Sequence, residues 1–217
     1  MPYRRTPRVE ARLSASRDRI RAAALAVVAE QGYAGCSIAA VARRAGVATG
    51  SVYRHFPAKA DLVAEVFRVA SQREVEAFAR AASLERSAAE GVAAVIETFA
   101  GRALRAPRMA YALLAEPVDP AVDAERLVFR RAYAAVLAAL ISRGIAAGEL
   151  PDQDVDVSAA ALVGAIGEAL VGPLAVGAAR PADTDPPTDT PADAFADVIS
   201  HLISFAQRSI GAVSDDA

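Results

Sequence analysis

The sequence predicts an all-α protein, and three observations lead to this fold class. Alanine is the commonest residue of the 217-residue chain, and alanine is the best helix former because it loses no side-chain entropy in a helix. Tryptophan is absent, and β-branched residues are sparse outside short runs. Apolar residues recur at helical spacing between glycines and prolines that can end helices. Hydrophobic residues make up 54% of the chain, which is ample for a buried core.

Three short helices are predicted within the first 60 residues. The first ~15 residues carry four arginines without apolar periodicity, which predicts a flexible basic arm. Ser16 then caps a helix that Gly32 ends. Ser37 caps a second helix of about eight residues, and Gly46 stops it.

The third helix is the shortest of the three. Thr49 is its predicted N-cap, Val52 and Phe56 lie at i and i+4 on its apolar side, and Pro57 prevents its continuation. Tyr53 is expected on the exposed side. A helix of this length that follows a glycine turn is typical of a helix-turn-helix, whose second helix enters the major groove of DNA.

The rest of the chain is predicted to be a larger helical domain. Its predicted segments are 58–82, 87–105, 107–115, 121–147, 155–178 and 192–211, with prolines and glycines between them. The stretch 180–193 is rich in Pro, Asp and Thr, which predicts a solvated, poorly ordered loop. The sequence therefore predicts two domains, residues 1–60 and residues 61–217.

The net charge of −2 hides an asymmetry between these two parts of the chain. Residues 1–60 contain 11 Arg and Lys but 3 Asp and Glu, whereas residues 61–217 contain 13 and 23. A basic first part on an acidic body suggests that only the first part meets a polyanion such as DNA. A basic segment that merely improves solubility is the alternative.

Targeting signals are not expected in this sequence. No apolar run approaches the ~18 residues of a membrane span, and the basic N-terminus lacks the apolar region of a signal peptide. The single cysteine, Cys36, cannot form an internal disulfide and is expected to be a small buried residue, with a redox role as the weaker alternative. These features predict a cytoplasmic protein without membrane contact.

The stretch IAAVARRAGVATGSVYRHFPAKADLVAEV, residues 38–66, resembles the DNA-binding domain of TetR/AcrR-type transcriptional regulators. The resemblance covers roughly residues 17–64 and includes the pattern V-Y-x-H-F-x-x-K-x-x-L. The family usually has threonine where this chain has Ser37, a mild departure because serine also caps helices. The resemblance implies a homodimeric helical protein whose divergent C-terminal domain binds a small ligand.

The resemblance also assigns roles to residues of the helix-turn-helix. It implies phosphate contacts by Tyr53, His55 and Lys59. It further implies contacts with DNA bases at the start of the third helix and at one following arginine, namely Thr49, Gly50, Ser51 and Arg54. Arg43 and Arg44 add positive charge beside them.

Each phosphate-contact residue also has a structural alternative. Tyr53 could be a core aromatic residue whose hydroxyl is satisfied internally. His55 could end its helix, and Lys59, the only lysine of the chain, could be an ordinary solvated side chain.

The C-terminal domain contains a candidate ligand site. Aromatic and soft side chains cluster in the middle of its sequence, and charged residues lie among them: Phe99, Met109, Tyr111, Phe129, Tyr133, Arg102 and Glu168. Apolar cavities with a few polar groups are the usual form of small-molecule sites. Ordinary core packing is the alternative for each of these residues. An apolar or aromatic effector is expected.

The last two predicted helices, 155–178 and 192–211, are the candidate dimer interface. Several glycines on the first of them suggest close approach of two backbones, and the second carries an apolar stripe. Both stripes could instead pack within one subunit. We favour a homodimer because a two-fold operator needs two DNA-reading heads.

These patterns predict a ligand-responsive, sequence-specific transcriptional regulator, most simply a repressor that a small effector releases from its operator. We call residues 1–60 the head and residues 61–217 the body. The helix at 58–82 is expected to link the two mechanically. A helical small-molecule-binding protein without regulatory output is the alternative. An enzyme has little support, since the two histidines and the scattered carboxylates show no metal-binding spacing, nucleophile elbow or phosphate loop. No metal or cofactor is expected.

Overall fold

The computed structural model describes residues 7–83, 87–179 and 191–212, and all regular structure within these ranges is helical. In chain order the helices are α1 (Pro7–Gly35), α2 (Ile38–Ala45), α3 (Thr49–His55), α4 (Lys59–Ala82), α5 (Ala88–Arg105), α6 (Pro107–Leu114), α7 (Pro120–Ala146), α8 (Val155–Ala179) and α9 (Pro191–Ser209). The predicted all-α fold class is confirmed, and the helices of the body begin and end within two residues of their predicted bounds.

Helix α1 is longer than the sequence pattern predicts. It begins at Pro7, so the prediction of a flexible arm is wrong for residues 7–15, and Ser16 lies inside the helix rather than at its N-cap. Most side chains of residues 7–15 are exposed, which explains why they show no apolar periodicity. At Gly32 the backbone has a φ of 70° and the helix axis kinks, so the predicted helix end is a kink followed by a final turn.

The predicted capping of α2 is confirmed in detail. The Ser37 hydroxyl accepts a hydrogen bond from the Ala40 N–H at 3.1 Å, and Gly46 ends the helix in the left-handed conformation with a φ of 64°. The prediction that Thr49 caps α3 is wrong. Thr49 is the first helical residue, and the extended residue Ala48 precedes it without a side-chain cap.

Prolines set the helix starts in the body. Pro107 and Pro120 occupy the first positions of α6 and α7, where a missing N–H costs nothing. Helix α8 continues through Pro173, and α9 already begins at Pro191, so the last three residues of the predicted loop are helical. The remainder of that loop, residues 180–190, lies outside the described residues.

Two hydrophobic clusters hold the chain together. The N-terminal cluster joins α1, α2 and α3 to residues 62–67 of α4, and it also takes in Ala112 of α6 and Val122 of α7. The second cluster packs the later part of α4 against α5, α7, α8 and α9. The predicted domain boundary at residue 60 therefore falls just inside α4, whose first turns pack with the N-terminal helices.

Helix α8 corrects one expectation from the sequence. By length and composition alone, Val155–Ala179 is long and apolar enough to cross a membrane, and it is the one such helix among the described residues. Its buried side chains pack into the second cluster, although only 28% of its most apolar window is buried within the chain. Much of an apolar helix surface is therefore left exposed.

Candidate nucleic-acid interface and ligand cavity

Helix α3 is fixed from one side and open on the other. Val52 and Phe56 are buried at 0% and 2% exposure in the N-terminal cluster, as their spacing predicts. Thr49, Gly50 and Arg54 are exposed on the remaining surface. Two buried side chains are therefore enough to hold this short helix in place, with its exposed side in a fixed orientation.

The predicted DNA-contacting side chains lie on or beside this open face. Tyr53 is 51% exposed, which contradicts the alternative of a core aromatic residue. Ser51 and His55 are half-buried at its edges. A side chain added at Gly50 would meet no atom within 4 Å, so the backbone is open to a close approach there.

The arginines of α2 and α3 differ in their partners. Arg43 and Arg54 are exposed and form no ion pair with any residue in the described ranges. Arg44 instead forms an ion pair with Glu30 of α1 at 2.5 Å, where both side chains are largely exposed. Arg43 and Arg54 are thus free to meet an anion, whereas Arg44 would first have to leave Glu30.

The surroundings of His55 favour its neutral imidazole in the free protein. Partial burial is the main cause that lowers its pKa below the ordinary value of 6.5, and the positive charges of Arg54 and Arg17 lower it further. A neutral imidazole can still donate one hydrogen bond to a phosphate oxygen.

Lys59 points toward the protein rather than freely into solvent. Its Nζ donates a hydrogen bond to the Tyr33 carbonyl at 3.0 Å and lies 4.0 Å from the centre of the Tyr33 ring. The alternative of an ordinary solvated lysine is therefore wrong. Nearby Cys36 is 1% exposed, and burial raises the pKa of its thiol, with Lys59 partly offsetting this effect.

Tyr33 is the centre of a polar joint between the N-terminal helices and the body, which the sequence reasoning missed. Glu116, in the turn between α6 and α7, accepts hydrogen bonds from the N–H groups of Tyr33 at 2.8 Å and Ala34 at 3.0 Å. The Tyr33 hydroxyl donates to Asp119. We call these contacts the Tyr33 joint. Glu116 and Asp119 are more than 80 residues from Tyr33 in the chain, so no local pattern indicates the pairing.

Both ends of α6 contact α1. At the N-terminal end, Arg108 donates hydrogen bonds to the Glu30 carbonyl of α1 and to the Ala178 carbonyl of α8, the latter at 2.9 and 2.7 Å. Just beyond the C-terminal end, Glu116 makes the contacts of the Tyr33 joint. A movement of α6 would therefore displace the groups that bind the last turns of α1.

Arg126 of α7 fixes the corner between α6 and α7. Its guanidinium donates to the carbonyls of Ala112 at 2.8 Å, Leu113 at 3.0 Å and Glu116. The carbonyls of Ala112 and Leu113 belong to the last turn of α6, where a helix leaves its carbonyls without intrahelical partners. Desolvation by burial is the main cause that lowers the pKa of Arg126, although the residue remains charged.

The body contains a cavity of about 450 Å³, within the range of small-molecule sites. Its walls come from α4, α5, α6, α7 and α8. At one side, Phe78, Phe99 and Tyr133 pack edge to face with ring centroids 5.2 to 6.3 Å apart. This aromatic cluster gives the cavity a rigid apolar surface.

Few polar groups face the cavity. Arg102 and Glu74 form a two-pronged ion pair with distances of 2.5 and 2.8 Å, and this hydrogen bonding raises the pKa of Arg102. Burial raises the pKa of the Tyr133 hydroxyl well above its ordinary value, so it stays protonated as a donor. Arg126 and Arg130 lie on the α7 wall, and Glu168 lies on the α8 wall.

The cavity brings together six of the seven predicted ligand-site residues: Phe99, Arg102, Met109, Phe129, Tyr133 and Glu168. Tyr111 is the exception, since it packs against the second hydrophobic cluster and does not line the cavity. Sequence reasoning missed the α4 contribution of Ser71, Glu74 and Phe78, whose i, i+3, i+7 spacing places them on one helix face. Within the described ranges, no group of three or more His, Cys, Asp or Glu side chains could hold a metal ion.

Comparison with known proteins agrees with this arrangement. The sequence model of the family described as bacterial regulatory proteins, tetR family, matches residues 20–66. That range spans most of α1, all of α2 and α3, and the start of α4. Comparison with curated protein sequences gives no match.

Solved structures of low sequence identity share the fold over nearly the whole chain. The transcriptional regulator FadR from Bacillus subtilis, in complex with stearoyl-CoA, is 20% identical with a TM-score of 0.69, and the match covers 91% of this chain and 99% of FadR. The fatty acid degradation regulator FadR from Bacillus halodurans is 17% identical with a TM-score of 0.69, covering 97% and 98%. A TetR transcriptional regulator from Chloroflexus aurantiacus is 23% identical with a TM-score of 0.70, covering 91% and 96%.

The family match thus falls on the helices that present the open face of α3, and the structural matches extend across the helical body. Residues 20–66 match the sequence model of the tetR family of bacterial regulatory proteins, and the chain as a whole shares the fold of solved TetR-family transcriptional regulators.

Proposed function

We propose that this chain is a homodimeric, ligand-responsive repressor that binds a two-fold DNA operator and leaves it when a small effector occupies the body cavity. One observation carries the proposal. Helix α6 lines the cavity with Met109, Ala110 and Leu113, while both of its ends hold the last turns of α1. The same helix therefore connects the ligand site with the DNA-binding domain.

The effector acts in this proposal by moving α6 and, with it, the head. Helix α4 provides a second connection, as the sequence suggests, because residues 62–67 pack in the N-terminal cluster while Ser71, Glu74 and Phe78 line the cavity. The coupling between effector and operator is a free energy of typically 1–3 kcal/mol, and it is reciprocal: operator binding must weaken effector binding by the same factor.

The direct DNA contacts follow from the open face of α3. Thr49, Gly50, Ser51 and Arg54 meet base edges, and Tyr53 and His55 donate to phosphates. Arg43 adds charge without breaking an existing ion pair, whereas Arg44 must exchange Glu30 for a phosphate. Lys59 uses one N–H on Tyr33 and keeps two for a phosphate.

The dimer forms through α8 and α9. Val157 and Val176 of α8 are 65% and 71% exposed, and Phe205 of α9 is 48% exposed. A side chain added at Gly172 would meet no atom within 4 Å, so packing within one subunit does not require this glycine. A second copy that covers this surface would bury an apolar face. A two-fold operator requires two heads whose spacing matches its half-sites, about 34–36 Å or a multiple of it.

The proposed effector has an apolar or aromatic body. The aromatic cluster and the surrounding aliphatic wall favour such a molecule. The complex of Bacillus subtilis FadR with stearoyl-CoA, a molecule with a long apolar chain, is consistent with this class of effector.

The test of this function begins with DNA. We would select bound fragments from a pool of random duplexes with the purified protein, and then measure salt-dependent affinity for the enriched sequence. We expect a two-fold symmetric consensus. We also expect Arg54→Gln to weaken binding, whereas Arg131→Gln, an exposed arginine of α7, should not. No enrichment, together with equal effects of the two substitutions, would favour a small-molecule-binding protein without regulatory output.

A further inference from the structure

The α7 wall of the cavity carries two arginines, Arg126 and Arg130. They are four residues apart in one helix, so their side chains extend from neighbouring positions on the same face. Both border the same space as the aromatic cluster formed by Phe78, Phe99 and Tyr133. The walls of the cavity therefore carry both cationic and aromatic groups.

These two charges are poorly neutralised by the protein. Among the described residues, Arg126 forms an ion pair only with Asp123, at 3.3 Å, and the Asp123 side chain is 60% exposed. The negative charge of Glu116 also attracts Arg126. Arg130 forms no hydrogen bond or ion pair with any described residue. The third arginine of the cavity, Arg102, differs because Glu74 pairs with it directly.

The carboxylates of the cavity do not remove this excess. Glu74 is used by Arg102, and Glu168 on the α8 wall is exposed and forms no ion pair with Arg126 or Arg130. Arg126 and Arg130 also repel each other, since the charge of Arg130 contributes to lowering the pKa of Arg126. An anionic group between them would relieve that repulsion and gain charge-assisted hydrogen bonds.

We propose that the effector is an amphipathic carboxylate, whose apolar body fills the cavity and whose carboxylate is bound by Arg130 with Arg126 beside it. This inference rests on the proposed function and names the chemical class of the molecule that occupies the cavity. Arg130 has all five N–H donors available and can bind the two carboxylate oxygens in parallel.

The position of Arg126 gives the carboxylate a further effect. Most of its donors hold the carbonyls of Ala112, Leu113 and Glu116 at the corner after α6. A carboxylate beside it competes with these carbonyls for the guanidinium. Occupancy of the cavity then loosens the corner from which Glu116 reaches the Tyr33 joint.

The experiment uses two matched pairs of probes with the full-length protein: decanoate with 1-decanol, and 4-phenylbutyrate with 4-phenylbutanol. Within each pair the apolar body is the same and the charge differs. Calorimetric titration at low ionic strength gives the dissociation constants, and low salt limits the screening of the exposed Arg130. We expect each acid to bind about tenfold more tightly than its alcohol, or better, which corresponds to ~1.4 kcal/mol.

Two variants assign the effect to a residue. Arg130→Gln should weaken binding of the acids about tenfold and leave binding of the alcohols unchanged, because only the acids use the guanidinium. Arg131→Gln is the matched control, since Arg131 is the adjacent exposed arginine of α7 and does not line the cavity. Thermal unfolding of each variant checks that both remain folded.

Three results would overturn the inference: equal affinity for acid and alcohol, acid binding that does not respond to Arg130→Gln, or no binding of any of the four probes. Operator affinity measured with the same probes separates this outcome from the proposed function. If the alcohols release the operator as well as the acids do, ligand-responsive regulation is supported but the carboxylate inference is wrong. If the acids bind through Arg130 but operator affinity stays constant, the inference stands and the proposed regulation falls.

Discussion

Lys59 makes one observed contact within the protein, and a second contact with DNA is predicted for it. Its ammonium lies over the Tyr33 ring and donates to the Tyr33 carbonyl, which ties the start of α4 to the last turn of α1. Because an ammonium has three N–H donors, this contact still leaves two for a DNA phosphate. The predicted phosphate contact is therefore compatible with the observed one, and an apolar residue at this position could make neither hydrogen bond.

His55 predicts a pH dependence of operator binding. Its lowered pKa leaves it neutral at pH 7 in the free protein, whereas a nearby phosphate favours the protonated imidazole. Binding should then take up a proton. Operator affinity is expected to rise as pH falls from about 7.5 to about 5.5, by at most about tenfold per pH unit, which fluorescence anisotropy at constant ionic strength can measure.

The two histidines of the chain provide the control for this prediction. His55→Gln should remove the pH dependence, and His201→Gln, in α9, should retain it. An unchanged pH profile in His55→Gln would contradict the assignment. The lowered pKa also means that protonation of His55 opposes folding, so its contribution to stability should be present above pH 6.5 and be lost as pH falls further.

At the scale of elements, α6 is short but joins the cavity wall to the last turns of α1 at both of its ends. It has only eight residues, starts at Pro107 and is held at its end by Arg126. Short helices have little intrinsic stability, so their position depends on tertiary contacts. We expect a helix of this kind to shift when the cavity is filled, whereas residues 133–145 of the 27-residue α7 are held by the second cluster.

Glu116→Gln should weaken the contact between this element and the head. The carboxylate accepts from two backbone N–H groups, while a glutamine has one oxygen and places an N–H₂ group against the second donor. We expect the free energy of unfolding to fall by about 1–2 kcal/mol, measured by urea denaturation. Glu97→Gln is the matched control, because Glu97 is exposed on α5 without a partner in the described part of the chain.

The Tyr33 joint is also expected to carry regulation. If it transmits the effector signal, Glu116→Gln should bring the operator affinities with and without effector closer together. A variant that is destabilised yet keeps the full ratio of these affinities would show that Glu116 serves only folding, and α4 would then be the main connection.

At the scale of the whole molecule, the surroundings of each glycine show whether packing within the chain requires it. Side chains added at Gly91 and Gly144 would meet Leu140 and Ala88 at 2.6 and 2.7 Å, so these glycines are required by packing within the chain. Gly172 lies one turn from the exposed Val176, and a side chain added there would meet no atom within 4 Å, so packing within the chain does not require this glycine. The exposed apolar face of α8 is the surface that the proposed dimer would bury.

Val176→Arg should therefore disrupt dimerisation without unfolding the subunit. Val176 is 71% exposed in the single chain, so the substitution should change subunit stability by less than about 0.5 kcal/mol. A charge buried at the interface should weaken the dimer at least tenfold, as sedimentation equilibrium can show. Val9→Arg, a 43% exposed position on α1, is the control. An unchanged dimer in Val176→Arg would place the interface elsewhere.

The sequence by itself determined where many helices begin and end, because these boundaries depend on local chemistry. The cap at Ser37, the left-handed turn at Gly46 and the prolines that open α6 and α7 depend on neighbouring residues only, so their effects can be predicted from the sequence. The helix-turn-helix follows from the same signals. The start of α1 could not be predicted in this way, since an exposed helix has no apolar side to produce a pattern.

Contacts between residues distant in the chain were decided only by the tertiary structure. Periodicity indicates that α4 has an apolar face, but the packing of five helices decides that Glu74 and Phe78 face the cavity while Tyr111 does not. The Tyr33 joint likewise pairs residues more than 80 positions apart. Helix propensity and capping act over one or two turns, whereas a cavity and a joint exist only after the helices have packed, and no local signal carries that information.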